Sequence, residues 1–256
     1  MSEHILVSQS GQVRQLILNR ADKKNALTLA MYNRLSEALL AADSDPEVRV
    51  IVLRAEGDSF CAGNDIADFV AAVNNPDAMQ APLNFLRAIS GFSKPVIAAV
   101  SGAAVGIGST MLLHCDLVVA SQQTRFQLPF VKLGLVPEGG SSLIMPQLAG
   151  HRKAFELLVL GEPFDAETGV ELGLVNQIVT PEQLQQRTMQ LAEEVAALAP
   201  EAVRQSKALL KQNMHDQLQQ VIQAEGELFA ARLHSAEAQE ALQAFIEKRS
   251  PDFSRF

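Results

Sequence analysis

The apolar pattern of this chain changes its period near Pro181, and that change limits what the chain can fold into. Before Pro181, aliphatic and β-branched runs of strand length at 13–18, 48–53, 96–100 and 117–120 alternate with helical patterns and glycine-rich turns. Thr28 predicts the N-cap of a helix that carries Met31, Leu35, Leu39 and Ala42 on one face and stops before Asp45-Pro46. After Pro181 the strand signals end. Leu184, Leu191, Val195 and Leu198 recur at helical spacing, Pro200 interrupts them, and helical patterns resume at 203–210 and over a long Gln-, Ala- and Glu-rich segment, 215–248. This predicts an α/β core followed by a helical layer whose apolar stripes cover either that core or another subunit.

Composition excludes several classes. With 48% hydrophobic and 20% charged residues, the 256-residue chain has the make-up of a globular protein. The net charge is −8 and the basic residues are dispersed, so no stripe for nucleic acid is visible. Cys61 and Cys115 are too few for a disulfide scaffold and read as buried, reduced thiols. His4, His114, His151, His215 and His234 show no ligand spacing, which predicts no metal. No apolar run is of membrane-spanning length, and the first residues lack the basic and apolar regions of a secretory signal. These features together predict a cytoplasmic protein.

Three segments carry candidate chemistry. In Phe60-Cys61-Ala62-Gly63-Asn64-Asp65-Ile66, the plain reading is a strand-to-helix turn, with Gly63 at an unusual backbone angle and Asp65 capping the next helix. The functional reading is a set of exposed backbone N–H groups able to hold an oxyanion. Ser101 to Thr110 is a glycine-rich turn after a strand, and its Gly102, Gly106 and Gly108 resemble a dinucleotide loop. A short-chain dehydrogenase would need a lysine four residues after a tyrosine; the single tyrosine, Tyr32, has Ser36 there, so that reading is rejected. In Leu133-Gly134-Leu135-Val136-Pro137-Glu138-Gly139-Gly140, the plain reading of Glu138 is a solvated turn residue. The functional reading projects it toward whatever lies beside the glycine loop. Glu162 and Asp165 read as solvated acids flanking a turn.

In order and spacing these segments resemble the crotonase (enoyl-CoA hydratase/isomerase) family over essentially the whole chain. Leu18-Asn19-Arg20-Ala21-Asp22-Lys23-Lys24-Asn25-Ala26-Leu27, then Lys94 to Val100, Cys115-Asp116 and Glu247-Lys248-Arg249-Ser250-Pro251-Asp252-Phe253 complete the resemblance. It implies a spiral of repeated β-β-α units over 1–197, and a C-terminal α-helical region, 198–256, that packs homotrimers or dimers of trimers. It implies an acyl-CoA thioester as substrate, with coenzyme A part of that substrate and no separate cofactor. At matching positions the oxyanion donors are the N–H groups of Asn64 and Ile107. CoA lies along Lys24, Ala26, Ala62, Asp65 and Ile66, with Lys248 and Phe253 reaching the nucleotide of a neighbouring subunit.

The resemblance also separates reactions within the family. Hydratases hold a water between two glutamates, and the matching positions here are Thr110 and Phe130. Glu138 instead stands where the Δ3-Δ2-enoyl-CoA isomerase branch has its single base. Phe69, Thr110 and Phe130 are expected to line the acyl pocket, with Phe85 and Leu86 as further candidates. Two alternatives stay open: another crotonase reaction, such as enoyl-CoA hydration or ring isomerisation of an aromatic acyl-CoA, and a non-catalytic acyl-CoA- or RNA-binding member.

Overall fold

The computed structural model describes residues 4–68 and 80–256. The strands are β1 (Ile5–Ser10), β2 (Val13–Leu18), β3 (Val50–Ala55), β4 (Val96–Val100), β5 (Ala103–Val105), β6 (Leu117–Ser121), β7 (Arg125–Gln127), β8 (Phe164–Asp165) and β9 (Gln177–Val179). One sheet runs β1-β2-β3-β4-β6-β9 and a smaller one β5-β7-β8. Among the described residues β1–β2 and β7–β8 pair antiparallel and the other pairings are parallel.

Later turns of the chain contribute to both sheets. β4 leads directly into β5, and β6 into β7. The segment after β3 reaches Cys61, which bridges Ala104 in parallel, and the segment after β2 reaches Leu27, which bridges Asn64 in parallel. Each turn therefore stacks on the one before, giving the β-β-α winding that the crotonase resemblance implies.

The helices are α1 (Leu29–Ser44), α2 (Gln80–Gly91), α3 (Ile107–Thr110), α4 (Ser141–Phe155), α5 (Ala166–Glu171), α6 (Pro181–Ala196), α7 (Pro200–Lys211), α8 (His215–Leu233) and α9 (Ala236–Ile246). In α1 the Thr28 hydroxyl accepts the Met31 N–H at 3.3 Å, and the expected face is buried. The main core joins this face to Phe60, Phe85, Phe126 and the strands. On the other side of the large sheet, Val13, Val50, Val52 and Ile97 pack against Ala192 and Ala196 of α6. Covering both faces explains why the central strands read as continuous aliphatic runs.

Several boundaries differ from the sequence expectation. β3 begins at Val50, because Val48 closes a turn onto the Asp45 carbonyl. The segment 215–248 is two helices, separated where the Ser235 hydroxyl accepts the Ala238 N–H and starts α9. Of the two roles left open for the helical layer, α8 takes the first, since Ile222, Phe229 and Leu233 join the main core. Cys61 is buried and Cys115 half-buried, and both are free thiols.

Two residues of the segments that carry the resemblance, Lys94 and Asp116, prove to be mechanical fastenings. Lys94 donates to the carbonyls of Ala42 and Asp45 at the end of α1. Lys207 on α7 donates to the Lys94 carbonyl at 2.6 Å and to Asp116, which also accepts the Val96 N–H. A buried ammonium with this many oxygens around it tolerates its desolvation. It ties α7 to the start of β4.

At Gly102 the backbone is left-handed, with φ +64°, and a Cβ there would lie 1.8 Å from the Asp58 carbonyl oxygen. Gly102→Ala is expected to cost roughly 2 kcal/mol or more, from left-handed strain and overpacking together. The check is a lower urea midpoint at unchanged slope.

Candidate active site

Glu138 sits at the end of the loop before α4, followed by Gly139 and Gly140 at φ +71° and +77°. Two successive left-handed residues turn the chain sharply, and glycine makes that conformation inexpensive. The turn points the Glu138 side chain inward, and the residue is only 9% exposed. Burial pushes its pKa up to about 8; the Thr110 hydroxyl, which donates to Oε1, works the other way, and the charge of Glu225 adds to the rise.

The main chain of the turn is held from two other elements. His114, just after α3, is buried, and burial lowers its pKa to about 4, so its ring is neutral. The Gly139 carbonyl can only accept, so the 2.8 Å contact makes His114 Nε2 the protonated nitrogen. On α8 the two carboxylate oxygens of Glu225 accept the N–H groups of Gly140, at 2.5 Å, and Ser142, at 2.9 Å.

Glu138 opens onto a cavity of about 30 Å³ lined by Tyr32, Asn64, Pro82, Leu83, Leu86, Gly139, Ile222, Gly226 and Phe229. Its walls are mainly apolar. The polar exception besides Glu138 is the pair in which the Tyr32 hydroxyl donates to Asn64 Oδ1 at 2.5 Å. Lys132 holds Glu162 at the surface and Asp165 caps α5, so neither acid approaches Glu138.

The two expected oxyanion donors come from neighbouring segments. Cys61 N–H donates to Ala103 O and Val105 N–H to Cys61 O, placing the 61–64 stretch alongside β5 and the start of α3. In the Leu27–Asn64 bridge the bonds run from Leu27 N to Gly63 O and from Asp65 N to Leu27 O. The Asn64 N–H is thereby left on the other side of the strand. Ile107 opens α3, where Ser109 and Thr110 take the Gly106 carbonyl and the first N–H groups have no carbonyl behind them.

The expected CoA residues form one surface group. Ala62 N–H donates to the Lys24 carbonyl at 2.9 Å, and Arg20 bonds both the Ala26 carbonyl and the Asp65 carboxylate. The other Asp65 oxygen accepts the Ala67 and Asp68 N–H groups, as its capping reading predicted. Its carboxylate is therefore occupied inside the protein, and Ile66 begins the turn that it caps. Lys24 is exposed, at φ +49°. Lys248 and Phe253 lie on a tail that Glu240 fastens through Arg249, Arg255 and the Asp252 N–H. Among the described residues no hydrogen bond or ion pair joins that tail to the Lys24–Ile66 group.

Of the expected acyl-pocket residues, Thr110 contacts Glu138, whereas Phe130 packs in the main core and does not line the cavity. Phe85 packs against Tyr32 with the rings tilted at 57° and their centroids 5.6 Å apart. Phe69 lies outside the described residues. Tyr32, Leu83, Ile222, Phe229 and Glu225 were not anticipated. Glu225 had a legible signal, since it is a carboxylate on the stripe that also carries Ile222 and Phe229.

Residues 8–255 match the enoyl-CoA hydratase/isomerase family. The chain belongs to that family. The 2,3-dehydroadipyl-CoA hydratase of Escherichia coli is 33% identical over 99% of this chain and 99% of its own. Enoyl-CoA delta isomerase 2 of Rattus norvegicus is 32% identical over 97% of this chain and 64% of its own length. A crystal structure of an enoyl-CoA hydratase/isomerase from Pseudoalteromonas atlantica matches at a TM-score of 0.92 and 40% identity, covering 98% of this chain and all of that one. The protein is thus an enzyme of a family whose members include both hydratases and isomerases. Among the described residues no helix is long and apolar enough to cross a membrane.

Because the Thr110 hydroxyl favours the ionised form, Thr110→Val is expected to move the Glu138 pKa further up. The check is the infrared band of the protonated carboxyl, assigned by its loss in Glu138→Gln and followed against pH. A band that titrates as in wild type would refute the role given to Thr110.

Proposed function

We propose that this enzyme shifts the double bond of a 3-enoyl-CoA to the 2-position, with Glu138 as the single proton carrier. The observation that carries this reading is that, among the described residues, Glu138 is the one carboxyl lining the cavity. The positions where a hydratase would hold its water hold Thr110, which is already bonded to Glu138, and Phe130, which is buried away from the cavity. The other buried acid nearby, Glu225, has both oxygens committed to main-chain N–H groups. Neither arrangement supplies a second carboxylate to activate water.

In the proposed reaction the ionised Glu138 removes a proton from C2 of the thioester. The electron pair moves toward the thioester oxygen and, through the double bond, to C4. The N–H groups of Asn64 and Ile107 stabilise the charge on that oxygen, which is larger in the transition state than in the substrate. Glu138 then returns its proton to C4. Apolar walls from α2 and α8 keep water from competing for the proton.

The same reading places CoA along Lys24, Ala26, Ala62, Asp65 and Ile66, with Lys248 and Phe253 acting on a neighbouring copy in a homotrimer or a dimer of trimers. It requires no cofactor beyond the coenzyme A of the substrate, no metal and no nucleic acid, and it suits a cytoplasmic enzyme. Hydration is the second reading, favoured by the likeness to the E. coli hydratase.

Assays with 3-enoyl-CoA and 2-enoyl-CoA separate the two. Isomerisation of the first at a rate well above hydration of the second is expected, and the reverse order would overturn the proposal. Glu138→Gln should lose about 10²–10⁴-fold in kcat, the usual worth of a positioned base, while CoA-ester binding stays near wild type. Because a base works only when ionised, kcat/KM should rise with pH through about 8.

A further inference from the structure

A carboxyl group that must reach both C2 and C4 of a bound chain has to be aimed closely, yet Glu138 stands on a turn of two glycines. Glycine supplies the sharp bend and no rigidity of its own. The geometry of that turn therefore depends on what grips it. His114 donates to the Gly139 carbonyl, and Glu225 accepts from Gly140 and Ser142. The Gly139–Gly140 peptide group is thus bonded at both its carbonyl and its N–H to buried side chains from other parts of the fold, and the Ser142 N–H is held by the second of them.

We propose that Glu225 and His114 are positioning residues for Glu138, fixing the site of its carboxyl by clamping the main chain of the turn that carries it. The proposal rests on the assignment of Glu138 as the proton carrier and names the groups that make that assignment workable.

Each grip is suited to its task. His114 is neutral, so it orients the Gly139 carbonyl without placing a positive charge beside the base, which would hold Glu138 ionised and weaken it. Burial raises the pKa of Glu225, and the N–H groups of Gly140 and Ser142, with the positive end of α4, work the other way by favouring its charged form on the main-chain side of the turn. Seen from Glu138, that charge opposes ionisation, so Glu225 also strengthens the base it positions. The fit is tight, since a Cβ on Gly140 would meet Leu218 of α8 at 2.4 Å.

The other groups facing Glu138 do not duplicate this work. Tyr32 on α1 and Cys61 after β3 are buried, and burial raises the pKa of both, so they are neutral near pH 8. Thr110 on α3 bonds the carboxyl itself. From α2, Leu83 and Leu86 bring only apolar surface. Around His114 the charged neighbours are Lys211 and Lys207 on α7, and Lys207 is paired with Asp116.

The test compares wild type with Glu225→Gln, which keeps the shape but removes the charge and sets an amide against one of the two N–H groups. CoA-ester binding and melting temperature show that the variant is folded. The expected result is a loss of kcat of about 100-fold, the scale of a misplaced catalytic group, with CoA-ester affinity unchanged. The protonated-carboxyl band of Glu138 should titrate at lower pH than in wild type. A folded Glu225→Gln with wild-type kcat and an unmoved titration overturns the proposal.

If Glu225→Gln does not fold, His114→Leu and His114→Gln decide. His114→Leu should lose kcat and His114→Gln, which keeps a donor for the Gly139 carbonyl, should recover most of it; equal activity in His114→Leu and wild type overturns the clamp. Should the wild-type enzyme fail to isomerise 3-enoyl-CoA, the functional reading fails, and the infrared titration still decides the role of Glu225 because it needs no substrate.

Discussion

The molecule is organised around one close backbone contact. Cys61 exchanges hydrogen bonds with Ala103 and Val105, so two turns of the winding approach with no side chain between them. A Cβ on Gly108 would stand 2.4 Å from the Cys61 carbonyl oxygen. Because the approach is made by main chain alone, the 61–64 stretch and the start of α3 sit at fixed separation. Asn64 thereby lines one space with Glu138, and Thr110, at the end of α3, bonds Glu138 there. Thr110 then marks where a carboxyl from a later turn can dock.

Into that space the fold brings Glu138 with no cation beside it among the described residues. An acid in apolar surroundings favours its protonated form, and the structure accepts that cost at one point while satisfying the polar groups around it. The Thr110 hydroxyl, the neutral ring of His114 and the distant-facing charge of Glu225 are each compatible with a proton that comes and goes. A lysine or arginine at any of those places would fix the acid as a permanent anion. The strong cations nearby, such as Lys207, are instead employed in fastening α7 to the sheet.

What the sequence made legible was local. Thr28 and the stripe of α1 were readable because a cap and a four-residue spacing sit within one segment. The central strands were readable because burial on both faces leaves unbroken aliphatic runs. Strands such as β5, β7 and β9, with three residues each, are too short to show a period and exist through their pairing. Asn64, Ile107 and Glu138 were found through their resemblance to a family, and the structure brings Asn64 and Glu138 to one cavity. Glu225 shows the limit. Its place on an apolar stripe was visible, but its partners lie 83 and 85 residues earlier, and nothing local points to them. The place of Phe130 in the core was hidden for the matching reason, since an aromatic next to Pro129 looks the same whether it lines a cavity or fills a core.

The distance along the chain between Gly140 and Glu225 has a consequence for synthesis. The turn bearing Glu138 leaves the ribosome 85 residues ahead of the side chain that holds it. Until α8 emerges, the bend has no carboxylate for its N–H groups, and the apolar wall supplied by Ile222 and Phe229 is missing. Chains emerge at about 5–20 residues per second, so several seconds separate the appearance of this turn from that of the helix that holds it. The turn and its grip can meet only after α8 has been made.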